Sequence, residues 1–523
     1  MNRCIVLTGY MGAGKTTVGA TLAAQLGWDF IDTDRLIEQM AGRPVSEIFQ
    51  EGETHFRLWE RQAIATLPGR VDLVVATGGG AVLDEETRAI LATLGPVVYL
   101  DAPVETLWQR VKNDTHRPLA LNREMFAARH AVRKLLYRRF ALSYATHEGD
   151  PQSVATAIAA DLLAPVEQIN VNLAERSYTI TMAPGSLPSL PHYVGGEPGP
   201  CLLITDDGVP AWFLEVVMAS LTLAGYQPHC EIVGAGERHK SLETAEKLFE
   251  ACLRAGLQRR HPIISLGGGV VGDMAGFVAA TYMRGVPFIQ VPTTLLSQVD
   301  AAVGGKVGVN FRGTKNLVGA FYQPSAVLID ATTLLTLKAR DYRAGLAEVV
   351  KYGLMADGAL FMLLESEVAR LADRPLALLN TLIARCCEIK ARIVEQDERE
   401  GELGLREALN LGHTLAHALE SVLGEEGLNH GEAVGLGLIL ETRIAVQRGL
   451  AAPSLLERIE ELLVGLGLPT LLPPCSEHDV IDAARRDKKN QGAGVRMVLL
   501  QDLGKTVRAD VTPNEILAAL KGD

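Results

Sequence analysis

Hydrophobic and polar positions change rhythm twice along this chain. Up to about residue 163, short apolar runs such as "RCIVLTGY", "VDLVVATGGG" and "PVVYLDAP" alternate with stretches whose apolar residues recur every three to four positions, such as "KTTVGATLAAQLG". Buried strands spaced by such stretches predict a parallel α/β sheet. The segment "QSVATAIAADLLA" has the pattern of a closing amphipathic helix; Pro165 follows, and "INVNL" and "YTITMAPG" then alternate with period two. That switch predicts an antiparallel pair and a domain boundary near residue 165. Strand–helix alternation resumes through "PCLLITDD", "PHCEIVGAGE", "HPIISLGGG", "PFIQVPTT" and "AVLIDAT". Beyond about residue 331 long helical patterns such as "LAEVVKYGLMA" and "LNTLIARCCEIKARIVEQ" take over. The expected class is α/β: a phosphate-loop parallel-sheet domain over 1–165, a Rossmann-like α/β domain over 166–330, and an all-helical domain over 331–523.

A length of 523 residues is too great for one ordinary core, in keeping with three domains. The net charge of −12 argues against bulk nucleic-acid or anionic-membrane binding, so any anion site must be a local cluster of Lys, Arg and backbone N–H groups. The seven cysteines form no CxxC, and the adjacent Cys386 and Cys387 are poorly placed for a structural disulfide. Reduced thiols and a cytoplasmic location are expected. "MNRCIVLTGY" runs straight into a strand with no cleavage or transit signature, and no stretch approaches the length of a membrane span. A glycine triplet occurs twice, at Gly78–Gly80 and Gly267–Gly269, each after a β-branched apolar run. The two α/β parts do not align beyond it, so it is one backbone device used twice rather than an internal repeat.

"GYMGAGKT", Gly9 to Thr16, fits G-x-x-x-x-G-K-[ST] and lies between a predicted strand and a predicted helix. Gly9, Gly12 and Gly14 let backbone N–H groups curl around phosphate oxygens, with Ala13 and Thr17 in the same cradle at a helix N-terminus. Lys15 is placed to bridge the β- and γ-phosphates and Thr16 to ligate Mg²⁺, which predicts an ATP–Mg²⁺ site. Asp32 and Asp34 in "FIDTD" are two apart, hence expected on one strand face, and can serve Mg²⁺ and an acceptor hydroxyl. Arg57 in "HFRLWE", the backbone of "TGGG" and Arg133 in "VRKLLYRR" complete the set. Arg117 in the polar, lid-like "KNDTHRPLALNR" can neutralise transferring phosphate charge. Each has a plainer reading alone, since lone arginines are usually solvated and Asp-x-Asp often caps a helix. In this order they closely resemble the shikimate kinase family over about residues 1–163. The resemblance implies shikimate held by Asp34, Arg57, Gly79 and Arg133, Asp34 as general base, and Arg117 on ATP. "RKLLY" departs from the family pattern with Leu135 in place of Pro, and a late ATP-contacting Arg has no clear match around "HEGDPQ".

"SLGGGVVGDMAG" is not G-x-G-x-x-G, but three glycines after an apolar strand permit close approach to a pyrophosphate. Asp273 sits where it could cap the next helix, and Thr293 and Thr294 are hydroxyl donors at another strand end. "NLGHTLAHALE" puts His413 and His417 four apart on one helix face; "NHGEAV" adds His430 and "LAEVVKYG" adds Glu348 beside Lys351. His with Glu suits catalytic zinc, and spacing alone selects His413 with His417 as the ligand pair. Lys306, Lys315, Asn316, Lys390, Arg406, Asn410, Lys488 and Lys489, several of them in Gly-rich or apolar segments, suggest a basic pocket for a phosphorylated, carboxylated substrate.

These segments, from about residue 166 to 523, closely resemble the 3-dehydroquinate synthase family. The resemblance implies a divalent ion, Zn²⁺ or alternatively Co²⁺, on Glu348, His413 and His430, which moves His417 to a catalytic or substrate role. It implies NAD⁺ at Asp206, Glu237, Lys240, Gly268, Gly269, Asp273, Thr293, Thr294, Lys306, Lys315, Thr333 and Thr336. Substrate contacts are implied at Asp300, Lys306, Lys315, Asn316, Lys351, Lys390, Glu400, Arg406, Asn410, His417 and one of Lys488 and Lys489, with Lys351, Glu400, Arg406 and His417 catalytic. Arg284 is implied to reach across a homodimer interface. The implied substrate is 3-deoxy-arabino-heptulosonate 7-phosphate, oxidised at C5, relieved of phosphate, reduced again and closed by an aldol step. The segment between Glu400 and Arg406 carries about two more residues than the family's spacing. Rival readings are another sugar-phosphate cyclase or a polyol dehydrogenase behind, another polyol kinase in front, and a pseudoenzyme half. The lysine cup disfavours a dehydrogenase, the paired arginines favour a carboxylated acceptor, and the intact Lys15, Asp34, Glu348, His413 and His430 disfavour a pseudoenzyme.

Overall fold

The computed structural model describes residues 4–113, 122–400, 405–424, 427–486 and 494–522. Its front is one all-parallel sheet of β1 (Cys4–Thr8), β2 (Asp29–Asp32), β3 (Leu73–Ala76), β4 (Val97–Asp101) and β5 (Leu142–Ala145), in the order β2-β3-β1-β4-β5. β1, β3 and β4 are buried on both faces, which is why they read as unbroken apolar runs. β1 lies between β3 and β4, where the winding direction reverses, and the Gly9–Thr16 loop leaves its C-terminal end.

The second sheet has seven strands: β6 (Glu167–Val171), β7 (Tyr178–Met182), β8 (Pro200–Asp206), β9 (Gln227–Val233), β10 (Ile263–Gly267), β11 (Phe288–Pro292) and β14 (Ala326–Ile329), the hairpin β12 (Lys306–Phe311) and β13 (Thr314–Phe321) standing apart. The order is β6-β7-β14-β11-β10-β8-β9, parallel except for β6 against β7. The period-two alternation after Pro165 is thus an antiparallel edge on a parallel sheet. The winding reverses between β8 and β10, so a crevice opens at their C-terminal ends, beside Asp206 and Gly268.

Past Ile329 the chain is mainly helical, with long helices at Ala339–Ala356, Leu376–Gln396 and His430–Gln447. The region is not all-helical, however. β15 (Val495–Asp502) and β16 (Lys505–Val511) form an antiparallel hairpin with six buried residues, Val495, Met497, Leu499 and Val511 in a cluster with the His430–Gln447 helix and Val498 and Leu500 in the central core. "VRMVLLQDLGKTVRADV" carries the β-branched residues and Gly504 turn of a hairpin, and the surrounding helical pattern hid it. All seven cysteines are free. Among the described residues no helix is long and apolar enough to cross a membrane.

Candidate active sites

Gly12 and Gly14 sit at φ 81° and 88°, in the left-handed region a side chain resists, and Gly14 is the N-cap of the Lys15–Leu26 helix with no side-chain cap. The turn therefore aims backbone N–H groups outward at a helix N-terminus. Lys15 Nζ donates to the carbonyls of Gly9 (2.8 Å) and Tyr10 (3.1 Å), folding over the loop. Thr16 Oγ1 donates to Asp32 Oδ2 at 2.7 Å, which puts a hydroxyl and a carboxylate together beside the loop, a donor set suited to Mg²⁺. Ala13 is buried under the loop and Thr17 is exposed on its helix. Arg110, absent from the sequence reading, donates to the carbonyls of Gly12 (3.0 Å) and Thr146 (2.7 Å) and ties the loop to the strand edge.

Asp32 and Asp34 do not share a strand face. Asp32 ends β2 and caps the Thr33–Ala41 helix, its Oδ1 accepting from the Asp34 N–H at 3.0 Å, and Asp34 lies in that helix's first turn. The plain capping reading and the metal reading both fit Asp32, one per carboxylate oxygen. Asp34, Arg57 and Arg133 gather around the first glycine triplet. A Cβ on Gly78 would lie 2.9 Å from Asp34 Oδ1, and one on Gly80 would overlap the Arg57 guanidinium. Arg133 and the Tyr137 hydroxyl both donate to the Gly79 carbonyl, Arg133 at 3.3 Å. Arg57 pairs with Glu60, and with Glu53 at 2.8 Å, on one helix face. Burial, opposed by Arg57, raises the Glu60 carboxyl to about 7. Leu135 is exposed on the helix and leaves Arg133 buried beside Tyr10. Arg117 lies outside the described residues.

In the back half, Glu348 is fully buried on the Ala339–Ala356 helix. Its Oε1 lies 3.3 Å from His413 Nε2 and 3.4 Å from His430 Nε2. Neither carboxylate oxygen makes a hydrogen bond of good geometry, and the three ligand atoms lie within 4.8 Å of one another. A buried carboxylate with two imidazole nitrogens converging on it is the donor set of a divalent ion with an open position. His417, the partner that spacing alone selects, sits 5.5 Å ring to ring from His413, outside that trio but in a second group with Glu420 and His430 whose ligand atoms also lie within 4.8 Å of one another. It lines a cavity of about 120 Å³ with Asn410, His413 and, from β15, Arg496. His430 Nδ1 approaches Glu420 Oε2 at 3.4 Å, so Glu420 can orient the ring whose Nε2 faces Glu348. Burial would lower His430, but Glu348 and Glu420 outweigh it and hold the ring at about 10 in the absence of an ion.

The basic residues separate into two kinds. Lys351 and Lys390 are buried, Lys351 Nζ 2.5 Å from Glu348 and Lys390 Nζ 2.9 Å from Asp300 Oδ1, which also accepts from the Tyr352 hydroxyl at 2.7 Å. Burial pulls Lys390 down against the opposing pull of Asp300, while Lys351, also desolvated, is held up by Glu348 and Asp300. Arg406 is 2% exposed, its guanidinium donating to the Glu398 and Gly304 carbonyls. Lys306 and Lys315 are about half exposed on the β12–β13 hairpin, paired with Glu400 and, at 3.2 Å, with Glu420. Of the residues expected to form a basic pocket, this pair stands on a solvated face, because its Gly-rich segments form a hairpin with an exposed side. Lys488 and Lys489 lie outside the described residues.

Around the crevice, Gly268 is the N-cap of the Gly269–Thr281 helix with no side-chain cap, and a Cβ on it would lie 3.2 Å from Thr294 Cγ2. Asp273 does not cap this helix; it pairs with Lys240 at 2.5 Å, and Lys240 also meets Asn316. Glu237 accepts from Asn310 at 2.9 Å, so the hairpin is stitched to the crevice wall. Asn316 is thereby placed on the crevice side. Thr293 is buried at the end of β11, Thr294 bonds Ser297 at 2.9 Å, and Asp206 accepts from the Gly208 N–H at 2.8 Å. Thr336 caps back to the Thr333 carbonyl, whereas Thr333 is 1% exposed with its hydroxyl tied to Gln298 and Asp330, which puts it in the framework beneath the crevice. Arg284 is exposed after that helix, and it and Met283 stand at φ 65° and 50°. Consecutive left-handed non-glycine residues store strain of the kind found at functional positions.

The family model for shikimate kinase matches residues 11–163, and the models for 3-dehydroquinate synthase N-terminal and C-terminal match 230–344 and 345–490. A 3-dehydroquinate synthase of Desulforamulus reducens is 46% identical over 356 residues, 67% of this chain and 99% of the relative. A solved 2-epi-5-epi-valiolone synthase from Streptomyces hygroscopicus with NAD⁺ and Zn²⁺ bound is 33% identical over 67% of this chain and 98% of its own, with a TM-score of 0.62. A shikimate kinase from Acinetobacter baumannii in complex with shikimate is 39% identical over 31% of this chain and 94% of its own, with a TM-score of 0.30.

Proposed function

The chain belongs to the 3-dehydroquinate synthase family and carries a shikimate kinase domain ahead of it, a bifunctional enzyme of the shikimate pathway, and we propose that the two sites above perform its two reactions. We divide it at 1–165, 166–330 and 331–523, close to where the two sheets and the helical part part company.

In front, Gly12, Ala13, Gly14, Lys15, Thr16 and Thr17 hold the ATP phosphates, with Thr16 and Asp32 on Mg²⁺. Asp34 orients the 3-hydroxyl of shikimate and takes its proton, Arg57 and Arg133 hold its carboxylate, and Arg117 meets the phosphates. In the back half, Glu348, His413 and His430 hold Zn²⁺ or Co²⁺. Asp206, Glu237, Lys240, Gly268, Gly269, Asp273, Thr293, Thr294 and Thr336 hold NAD⁺. When bound, NAD⁺ supplies a reversible hydride acceptor and the ion a Lewis acid. Lys351 and Lys390, with Asp300 between them, fix the substrate's hydroxyl and carboxylate oxygens. Asn410, His417, Arg406, Lys306, Lys315, Asn316 and Glu400 surround its phosphate end, with Lys488 or Lys489 closing over it. Arg284 completes the site of a second subunit in a homodimer.

The observation that carries this reading is the convergence of His413 and His430 on buried Glu348, beside the Lys351–Asp300–Lys390 cluster. The deciding experiment assays one purified chain for both shikimate-dependent ADP formation and phosphate release from the heptulosonate 7-phosphate. A zinc-selective chelator with Mg²⁺ in excess should stop phosphate release and spare ADP formation; survival of both would remove the metal from the mechanism.

A further inference from the structure

Phe140 and Trp212 meet edge to face across the join between the kinase domain and the Rossmann-like domain, ring centroids 4.6 Å apart at 88°. Both are buried, at 4% and 7% exposure. Arg88 and Arg139 of the kinase domain lie 3.8 and 3.9 Å from Glu215, one turn along the helix from Trp212. At a second point a Cβ on Gly185 would lie 2.8 Å from Pro96 Cβ. One apolar cluster runs unbroken from β1 through Leu162 into Val171, Leu187 and Trp212. The two enzymes therefore share a core, unlike the polar contacts of domains that drift on a linker.

What this contact grips is the kinase helix Arg123–Tyr137. Its hydrogen bonding continues past the last α-helical residue, Arg139 N–H to Leu136 and Phe140 N–H to Tyr137. Arg133 and Tyr137, on the same helix, both donate to the Gly79 carbonyl. Phe140 follows Arg133 by seven residues, about two turns, so a shift at the docked end carries to the Arg133 guanidinium.

We propose that Trp212 and Glu215 of the synthase half are positioning residues for the kinase half: they brace the end of the Arg123–Tyr137 helix so that Arg133 meets the carboxylate of the acceptor. This rests on the reading of Arg133 as a carboxylate ligand.

The test uses the full chain and measures kinase kcat, KM for shikimate and KM for ATP, with synthase kcat/KM as a second readout. Trp212→Ala should raise the shikimate KM about three- to tenfold, with the ATP KM and the synthase within about twofold. Trp212→Phe should restore most of the loss, and Glu215→Gln should give a smaller rise in the same direction. An unchanged shikimate KM in Trp212→Ala, an equal rise for ATP, or no rescue by Phe overturns the proposal. If Trp212→Ala folds poorly and both activities fall together, Glu215→Gln decides by the same split. Arg133→Ala separates the two readings: if it leaves the shikimate KM unchanged, the carboxylate assignment fails, whereas a rise there with none in Trp212→Ala rejects the brace alone.

Discussion

The kinase site and the synthase site handle anions with opposite materials. In front, the groups proposed to hold phosphate come from the unbroken stretch Gly9–Thr17, most of them backbone, and the Thr16–Asp32 pair stands open to solvent. Behind, Asp300, Glu348, Lys390, His413 and His430 come from separate elements spread over residues 300–430, all side chains, with Glu348 and Lys351 almost wholly buried. Backbone N–H groups are partial charges already fixed by a helix turn, so a cradle of them can face water at little cost. Buried full charges must be paired or coordinated, and each has to be held by its neighbours. The glycine triplets repeat the contrast. At Gly78 and Gly80 the side chains of Glu60, Asp34 and Arg57 occupy the space a Cβ would need, whereas Gly268 starts a helix with no side-chain cap.

The largest effects should separate the sites cleanly. Lys15→Ala is expected to lower shikimate-dependent ADP formation by about 100- to 1,000-fold and leave phosphate release intact. His413→Ala should do the reverse, abolishing zinc retention and synthase turnover on the same scale; cross-loss in either variant would break the independence of the two sites.

A smaller effect probes how far the metal site depends on its supports. Glu420→Gln should weaken zinc or cobalt binding by about 10- to 100-fold, read by competition with a chromogenic chelator, because it loosens the His430 ring rather than removing a ligand. Undiminished affinity would show that Glu348 alone orients His430. In the kinase domain, Gly80→Ala pushes Arg57 aside and should raise the shikimate KM about tenfold with the ATP KM unmoved.

The smallest expected effect concerns Glu441, fully buried on the His430–Gln447 helix. Its carboxylate accepts from the N–H groups of Gly412 (2.6 Å) and Leu415 (3.3 Å), capping the His413–Leu423 helix that Gly412 leaves uncapped. Burial pushes its pKa up from 4.5 to about 8, against the pull of those backbone groups. A raised folded-state pKa contributes stability that is whole below the ordinary carboxylate range and is lost as pH rises through about 8. Glu441→Gln should flatten that decline, by about 1–3 °C of Tm between pH 5 and 8. Parallel Tm profiles for the two proteins would mean Glu441 carries no such proton.

Much of the kinase site was legible because its chemistry is local. The spacing of the Gly9–Thr16 loop sets its turn, and Arg57, Gly79 and Arg133 lie together as expected. Asp32 and Asp34 were legible as residues but not as geometry, because a helix begins between them where a strand face was expected. In the back half the residue types were visible and their grouping was not. Period four made His413 and His417 look like partners, yet Glu348 reaches His413 and His430 from another helix. Glu420, Arg110 and Arg496 gave no local signal of a role, since each acts through a contact distant in sequence. The exposed face of the β12–β13 hairpin was not legible for a related reason: it depends on which side of the hairpin packs on the rest of the domain.

By itself the sequence determined the alternation of strands and helices, the phosphate loop, the antiparallel edge after Pro165 and the pool of His, Glu and Lys from which the second site is built. Those follow from periodicity and backbone chemistry, which act over a few residues. Only the tertiary structure decided which imidazoles converge on Glu348, which lysines are desolvated and which are wet, that Glu441 caps a helix from across the core, and that Trp212 packs on Phe140. Each depends on burial and on direction between elements far apart in the chain, and local patterning carries neither.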